Sequence, residues 1–105
     1  MVKQFDVYWV NLDPTIGSEI KKKRPCVVVS PKEMNTHLRT VIIAPITSTI
    51  NPMPMRVPVK IKDREGMILL DQIRCVDKRR LDSKIKSLPK STYQEIQSKL
   101  IQMFS

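Results

Sequence analysis

A mainly β fold, built as a strongly bent antiparallel sheet or small barrel and closed by a C-terminal helix, is predicted by three features of this 105-residue chain. Short apolar runs broken by Pro, Gly, Asn and Asp fill the first two thirds. A helical apolar period begins only after Leu88. Two long polar stretches, Asp13 to Lys23 and Thr47 to Arg56, separate the runs, and loops that long in so small a domain are more often functional than connective.

The first run, Asp6 to Leu12, is rich in β-formers and puts Tyr8, Val10 and Leu12 on one face with Val7 and Trp9 on the other, as expected of a strand covered on both sides. Pro25 to Ser30, with Val27-Val28-Val29, and Val41 to Ile46 read as core strands. Val57, Val59 and Ile61 alternate with Pro58, Lys60 and Lys62, which marks a half-exposed strand whose proline favours a sheet edge. Met67 to Val76 is one more apolar run, interrupted by the polar pair Asp71-Gln72. In the last segment Thr92 and Glu95 have the spacing of a capping box, and Tyr93, Ile96, Leu100 and Met103 or Phe104 share one helical face.

This length suits one domain, residues 1–105, in which binding and chemistry share a site. No apolar stretch is long enough to span a bilayer and the N-terminus lacks a secretory h-region, so a cytoplasmic location is expected. Cys26 and Cys75 have neither metal-ligand nor redox spacing and read as buried small hydrophobes. The net charge of +9 favours polyanions, either nucleic acid or an acidic protein.

Three polar clusters interrupt this apolar frame. Lys21-Lys22-Lys23-Arg24 leads into the Val-rich strand, and Pro25 fixes the backbone after Arg24, so that this guanidinium starts from a rigid element while the lysines read as a solvated charge run. Thr47-Ser48-Thr49 ends the Val41 to Ile46 strand, where hydroxyls commonly bond their own backbone. Asp71-Gln72 has the character of a carboxylate and amide satisfying a bend in the sheet. The lone His37, after Asn35-Thr36, reads as an exposed loop residue, and one histidine per chain excludes a two-histidine ribonuclease mechanism within a subunit.

Five blocks in order then carry a resemblance: Asp6-Val7-Tyr8-Trp9-Val10-Asn11-Leu12-Asp13-Pro14; Gly17-Ser18-Glu19; Arg24-Pro25 with Val27-Val28-Val29-Ser30-Pro31; Ala44-Pro45-Ile46-Thr47-Ser48; and Asp71-Gln72-Ile73-Arg74 with Val76-Asp77-Lys78. Together they resemble the MazF/PemK toxin family over roughly the first eighty residues. The resemblance implies a small SH3-like barrel of the Kid/MazF type, a homodimer, and RNA bound near the dimer interface. It further implies sequence-specific cleavage of single-stranded mRNA without a metal or other cofactor, leaving a 2′,3′-cyclic phosphate and a 5′-hydroxyl and stopping translation and growth.

Such cleavage needs a base for the 2′-hydroxyl, a donor for the departing 5′-oxygen, and positive charge for the transition state. By resemblance Arg24 is the catalytic arginine, suited to clamp phosphate; Thr47 is the catalytic threonine; Glu19 is the base used in some members. Ser18, Lys21, Lys22, Lys23, Ser48, Asp71 and Gln72 are the expected RNA contacts. Phe5 stands where the family usually has glycine, and Ile20 where glutamine commonly follows the glutamate, which leaves the cleavage sequence open. Ser18 and Leu69 replace a histidine and an arginine that some members use, so the arginine and threonine scheme is expected.

An acidic, largely disordered MazE-like antitoxin is the expected protein partner, folding into the RNA groove. Two rival readings are a non-catalytic RNA- or DNA-binding module and a CcdB-like gyrase poison. Against the first stands the joint presence of Arg24, Thr47 and Glu19; against the second stands a C-terminus, Ile101-Gln102-Met103-Phe104-Ser105, without tryptophan.

Overall fold

A computed structural model of the chain describes residues 1–12 and 23–105. Their strands are β1 (Asp6–Asn11), β2 (Lys23–Val28), β3 (Thr40–Thr47), β4 (Arg56–Ile61), β5 (Arg64–Leu69), β6 (Arg74–Asp77) and β7 (Leu81–Ser87), with helices α1 (Lys32–His37) and α2 (Lys90–Met103). They form one antiparallel sheet in the order β4-β5-β3-β2-β1-β7, and β6 also pairs with β3. The sheet is curled into a half-barrel, as the strand content and terminal helix predict. Its two edges approach each other where Lys86 Nζ of β7 donates to the Lys60 carbonyl of β4 at 3.3 Å.

Two clusters cover the two faces of the sheet. Val7, Val27, Ala44, Ile46, Val57, Ile68, Leu70 and Ile96 lie in one, under α2, while Val10, Cys26, Val28, Val41, Ile43 and Val76 lie in the other. Consecutive residues of β2 enter opposite clusters, which is why its apolar run is continuous rather than alternating. β4 alternates as expected and occupies an edge, where Pro58 leaves no ladder donor missing on a second neighbour.

The polar pair in the Met67 to Val76 run marks a break. Ile46 faces Ile68 and Ile43 faces Arg74, so a three-residue step along β3 is matched by six residues of the opposing segment. The surplus is taken up by a 3-10 turn, Leu70–Gln72, so β5 and β6 share one edge of β3 with a kink between them. Asp71 in that turn accepts Arg56 Nε at 3.3 Å and Nη2 at 3.4 Å. The bend is thus satisfied by an ion pair as well as by backbone.

Several local expectations are corrected. The α2 N-cap is Pro89, not Thr92, and no side chain caps it; the Thr92 and Tyr93 N–H groups donate to the Pro89 carbonyl, so the Thr92/Glu95 capping box is not formed. The apolar face of α2 is Tyr93, Ile96, Leu100 and Met103, with Phe104 exposed. His37 is exposed but ends a short helix rather than lying in a loop. Cys26 is buried, whereas Cys75 is exposed. No helix of the described residues is long and apolar enough to cross a membrane.

Candidate active site

Arg24 and Thr47 come together because β1, β2 and β3 are neighbours. Arg24 is the second residue of β2, opposite Val10, and Thr47 closes β3, two residues beyond the Pro45 that pairs with Cys26. Both line a cleft of about 500 Å³ with Trp9, Pro25, Ile46 and Ser48. Its far wall is the β4–β5 hairpin, which contributes Ile61, Lys62, Arg64, Glu65 and Gly66. Among the described lining residues three cations face one carboxylate, and the floor is apolar. An anion entering such a site meets positive charge with part of its water removed, where electrostatic contacts are strongest.

The local geometry prepares each group. Arg24 is exposed and its guanidinium makes no hydrogen bond or ion pair to a described residue. Its backbone is tied down in the β1–β2 ladder, and its carbonyl takes the Cys26 thiol at 3.6 Å. Burial pushes that thiol up to about 12, against the opposing pull of Arg24 and Arg74. The Thr47 hydroxyl oxygen accepts the Thr49 N–H at 3.2 Å, the local turn expected of this cluster. Because the oxygen is used as acceptor, the hydroxyl hydrogen stays available to donate into the cleft. The same contact fixes the turn and orients the side chain.

Close approach on the other side depends on Gly66. A Cβ there would stand 2.8 Å from the Thr47 carbonyl oxygen and 3.2 Å from Ile46 Cγ2, so only glycine lets β5 pair with the end of β3 without displacement. The hairpin turn is tight: Ile61 faces Arg64, and Lys62 and Asp63 between them take positive φ values of 48° and 64°. Lys62 Nζ lies 6.0 Å from the centroid of the Trp9 ring.

Of the other expected contact residues, Ser48 lies in the cleft. Lys23 opens β2 and pairs with Asp82 at 2.8 Å; that hydrogen bond holds the Asp82 carboxyl below the usual range. Asp71 and Gln72 are exposed on the 3-10 turn and do not line the cleft. Ser18, Glu19, Lys21 and Lys22 lie outside the described residues. The contribution of Trp9, Lys62, Arg64 and Gly66 was not singled out from sequence. The paired signals that could have found it are the two-residue Lys62-Asp63 turn and the one glycine in a strand pattern, Gly66.

Residues 3–104 match the family model of the PemK-like, MazF-like toxin of type II toxin-antitoxin systems. The chain belongs to that family. Among solved structures it is similar to MazF from Deinococcus radiodurans, with 26% identity, a TM-score of 0.80, and coverage of 98% of this chain and 96% of that one. It is also similar to a MazE-MazF structure from the same organism, at 25% identity and TM-score 0.82, covering 98% and 95%. A likeness in fold extends to an endoribonuclease in complex with its cognate antitoxin from a mycobacterial species, at 22% identity and TM-score 0.83, covering 99% and 95%. These family matches agree with the resemblance carried by the five sequence blocks.

Proposed function

We propose that this toxin is an endoribonuclease that cuts single-stranded mRNA at short sequences, using one domain for both recognition and chemistry. The observation that carries the reading is the meeting of Arg24 and Thr47 in one cation-lined cleft. A phosphodiester drawn into it places its non-bridging oxygens between a guanidinium and a hydroxyl donor. The 2′-oxygen of the preceding ribose then attacks phosphorus as it loses its proton, the bond to the 5′-oxygen breaks, that oxygen takes a proton from solvent water, and a 2′,3′-cyclic phosphate and a 5′-hydroxyl result. Arg24 offsets the charge that grows on the phosphorane-like transition state, and Thr47 donates to a phosphate oxygen. The role proposed for Arg24 is electrostatic rather than that of a base, because a guanidinium presents hydrogen-bond donors and no acceptor. Glu19 is proposed as the group that takes the 2′-hydroxyl proton, with no metal or cofactor required.

Ser48 and Lys23 are proposed RNA contacts, with Ser18, Lys21 and Lys22 from the segment that precedes β2 in sequence. Asp71 and Gln72 belong to a separate surface and would meet RNA only where it extends past the cleft. The active form is proposed to be a cytoplasmic homodimer, silenced when an acidic, MazE-like antitoxin segment occupies the same positive cleft. The test is to incubate the protein with a long mixed-sequence RNA and characterise the ends. Discrete cuts bearing cyclic phosphate and 5′-hydroxyl are expected. RNA binding without cutting would instead assign the chain to a non-catalytic module.

A further inference from the structure

Trp9 is the one tryptophan of the chain and is half-buried in the wall of the cleft, on the strand neighbouring Arg24. Its backbone is paired with Pro25, so the indole is held on a rigid element rather than on a loop. The Lys62 ammonium lies over the ring at 6.0 Å, the outer limit of an effective cation–π contact. Lys62 is exposed, at the tip of a hairpin whose strained turn fixes its backbone while its four-carbon stem remains free to swing. A nearby aromatic face, a loosely held cation and a second exposed cation at Arg64 are the parts of a single-strand nucleic-acid subsite.

We infer that the Trp9 indole is the stacking platform for a nucleobase flanking the scissile phosphate, and that Lys62 leaves the ring for the adjoining phosphate when that base enters. The inference deepens the ribonuclease reading and rests on it for the identity of the scissile bond. Stacking accepts any base, so Trp9 supplies affinity and register while the polar groups around it set sequence preference. Displacing Lys62 loses little, because the contact it gives up is at the edge of its range, and gains a charge pair with phosphate.

Trp9 fluorescence reads this directly. Mixed-sequence single-stranded DNA, which lacks the 2′-hydroxyl and is therefore not cut, is titrated against an abasic deoxyribose-phosphate strand of equal length. The DNA is expected to quench Trp9 emission strongly and the abasic strand not to do so at matched saturation. Trp9→Leu is expected to weaken DNA binding about ten-fold while leaving the abasic strand little affected, and Trp9→Phe to restore most of the loss. Lys62→Asn suits the positive φ and keeps the turn, and is expected to reduce the salt dependence of binding by about one phosphate contact. Equal quenching by both strands, no quenching by bound DNA, or unchanged DNA affinity in a folded Trp9→Leu protein would overturn the inference. RNA cutting without DNA quenching sinks the subsite alone, and quenching without RNA cutting sinks the ribonuclease reading while sustaining the subsite.

Discussion

Gly66 and Thr47 approach so closely that one added carbon on Gly66 would stand 2.8 Å from the Thr47 carbonyl oxygen. The glycine therefore sets how near the β4–β5 wall lies to the Thr47 hydroxyl, the proposed phosphate donor. Gly66→Ala is expected to push β5 off the end of β3 and move Thr47 with it. Misplacement on this scale costs about 10–100-fold in kcat, with a stability loss of about 1–3 kcal/mol from overpacking. Steady-state cleavage and thermal melting measured together check this, and a Gly66→Ala protein with native kcat would show that the wall does not position Thr47.

The Thr47 hydroxyl accepts from the Thr49 N–H and is proposed to donate to phosphate, and substitution separates these polar roles from the packing of the methyl group. Thr47→Val keeps the shape and removes both, and is expected to lower cleavage about 100–1000-fold. Thr47→Ser keeps donor and acceptor and is expected to retain cleavage within about ten-fold, its cost being the looser rotamer. Single-turnover rates distinguish the two, and equal losses in both variants would point to packing of the methyl instead.

Phe5 takes a positive φ of 69° yet is buried, its ring stacked on Tyr93 of α2 at a centroid distance of 4.9 Å. The family usually places glycine here, which suits that backbone; this chain accepts the strain and gains a ring contact that docks α2. Phe5→Gly should relieve about 1–2 kcal/mol of backbone strain and lose about 3–5 kcal/mol of packing. A net fall of about 2 kcal/mol, or about 10 °C in Tm, is expected. A Phe5→Gly protein more stable than the native one would show that the Tyr93 contact does not compensate the strain.

Cysteine chemistry should divide by position. Cys75 is exposed and Cys26 is buried with its thiol raised to about 12, so an aromatic disulfide reagent at neutral pH is expected to label one thiol in the folded chain and two in denaturant. The same shift bears on alkaline stability. Below pH about 9 the Cys26 thiol is protonated in both states; above it the unfolded thiol ionises while the folded one keeps its proton, so stability falls from about pH 9 toward about 12. The slope from this group approaches about 1.4 kcal/mol per pH unit. Tyr8, raised by burial and by Asp6, adds in the same direction. Denaturant midpoints across this window should flatten in Cys26→Ala, and an unchanged slope would contradict the burial of the thiol.

How much of this was legible beforehand follows from how each element meets solvent. β2, β3 and β4 announce themselves because their apolar residues fill two clusters or alternate cleanly. β7 does not: in Leu-Asp-Ser-Lys-Ile-Lys-Ser the apolar residues are Leu81 and Ile85 alone, since an edge strand buries little. Helix α1 was hidden for a related reason, its one buried residue being the polar Asn35, whose amide donates to the Ser30 carbonyl at 2.8 Å. Cys75 departs from the expected burial because β6 carries it on an exposed face within an otherwise apolar run. At the site, Arg24 and Thr47 were legible from family-like blocks, but the hairpin wall was not. Its residues lie between Ile61 and Gly66 in sequence and meet Trp9 and Thr47 only through tertiary pairing.

The most direct test is cleavage of one long RNA in excess chelator by the native protein, by Arg24→Ala and by Thr47→Ala, with the 5′ ends mapped. Discrete cuts by the native protein that persist in chelator and are lost in both variants are the expected result. Cutting that survives Arg24→Ala, or that chelator abolishes in the native protein, would contradict the assignment of Arg24 and Thr47 as the groups that carry the reaction.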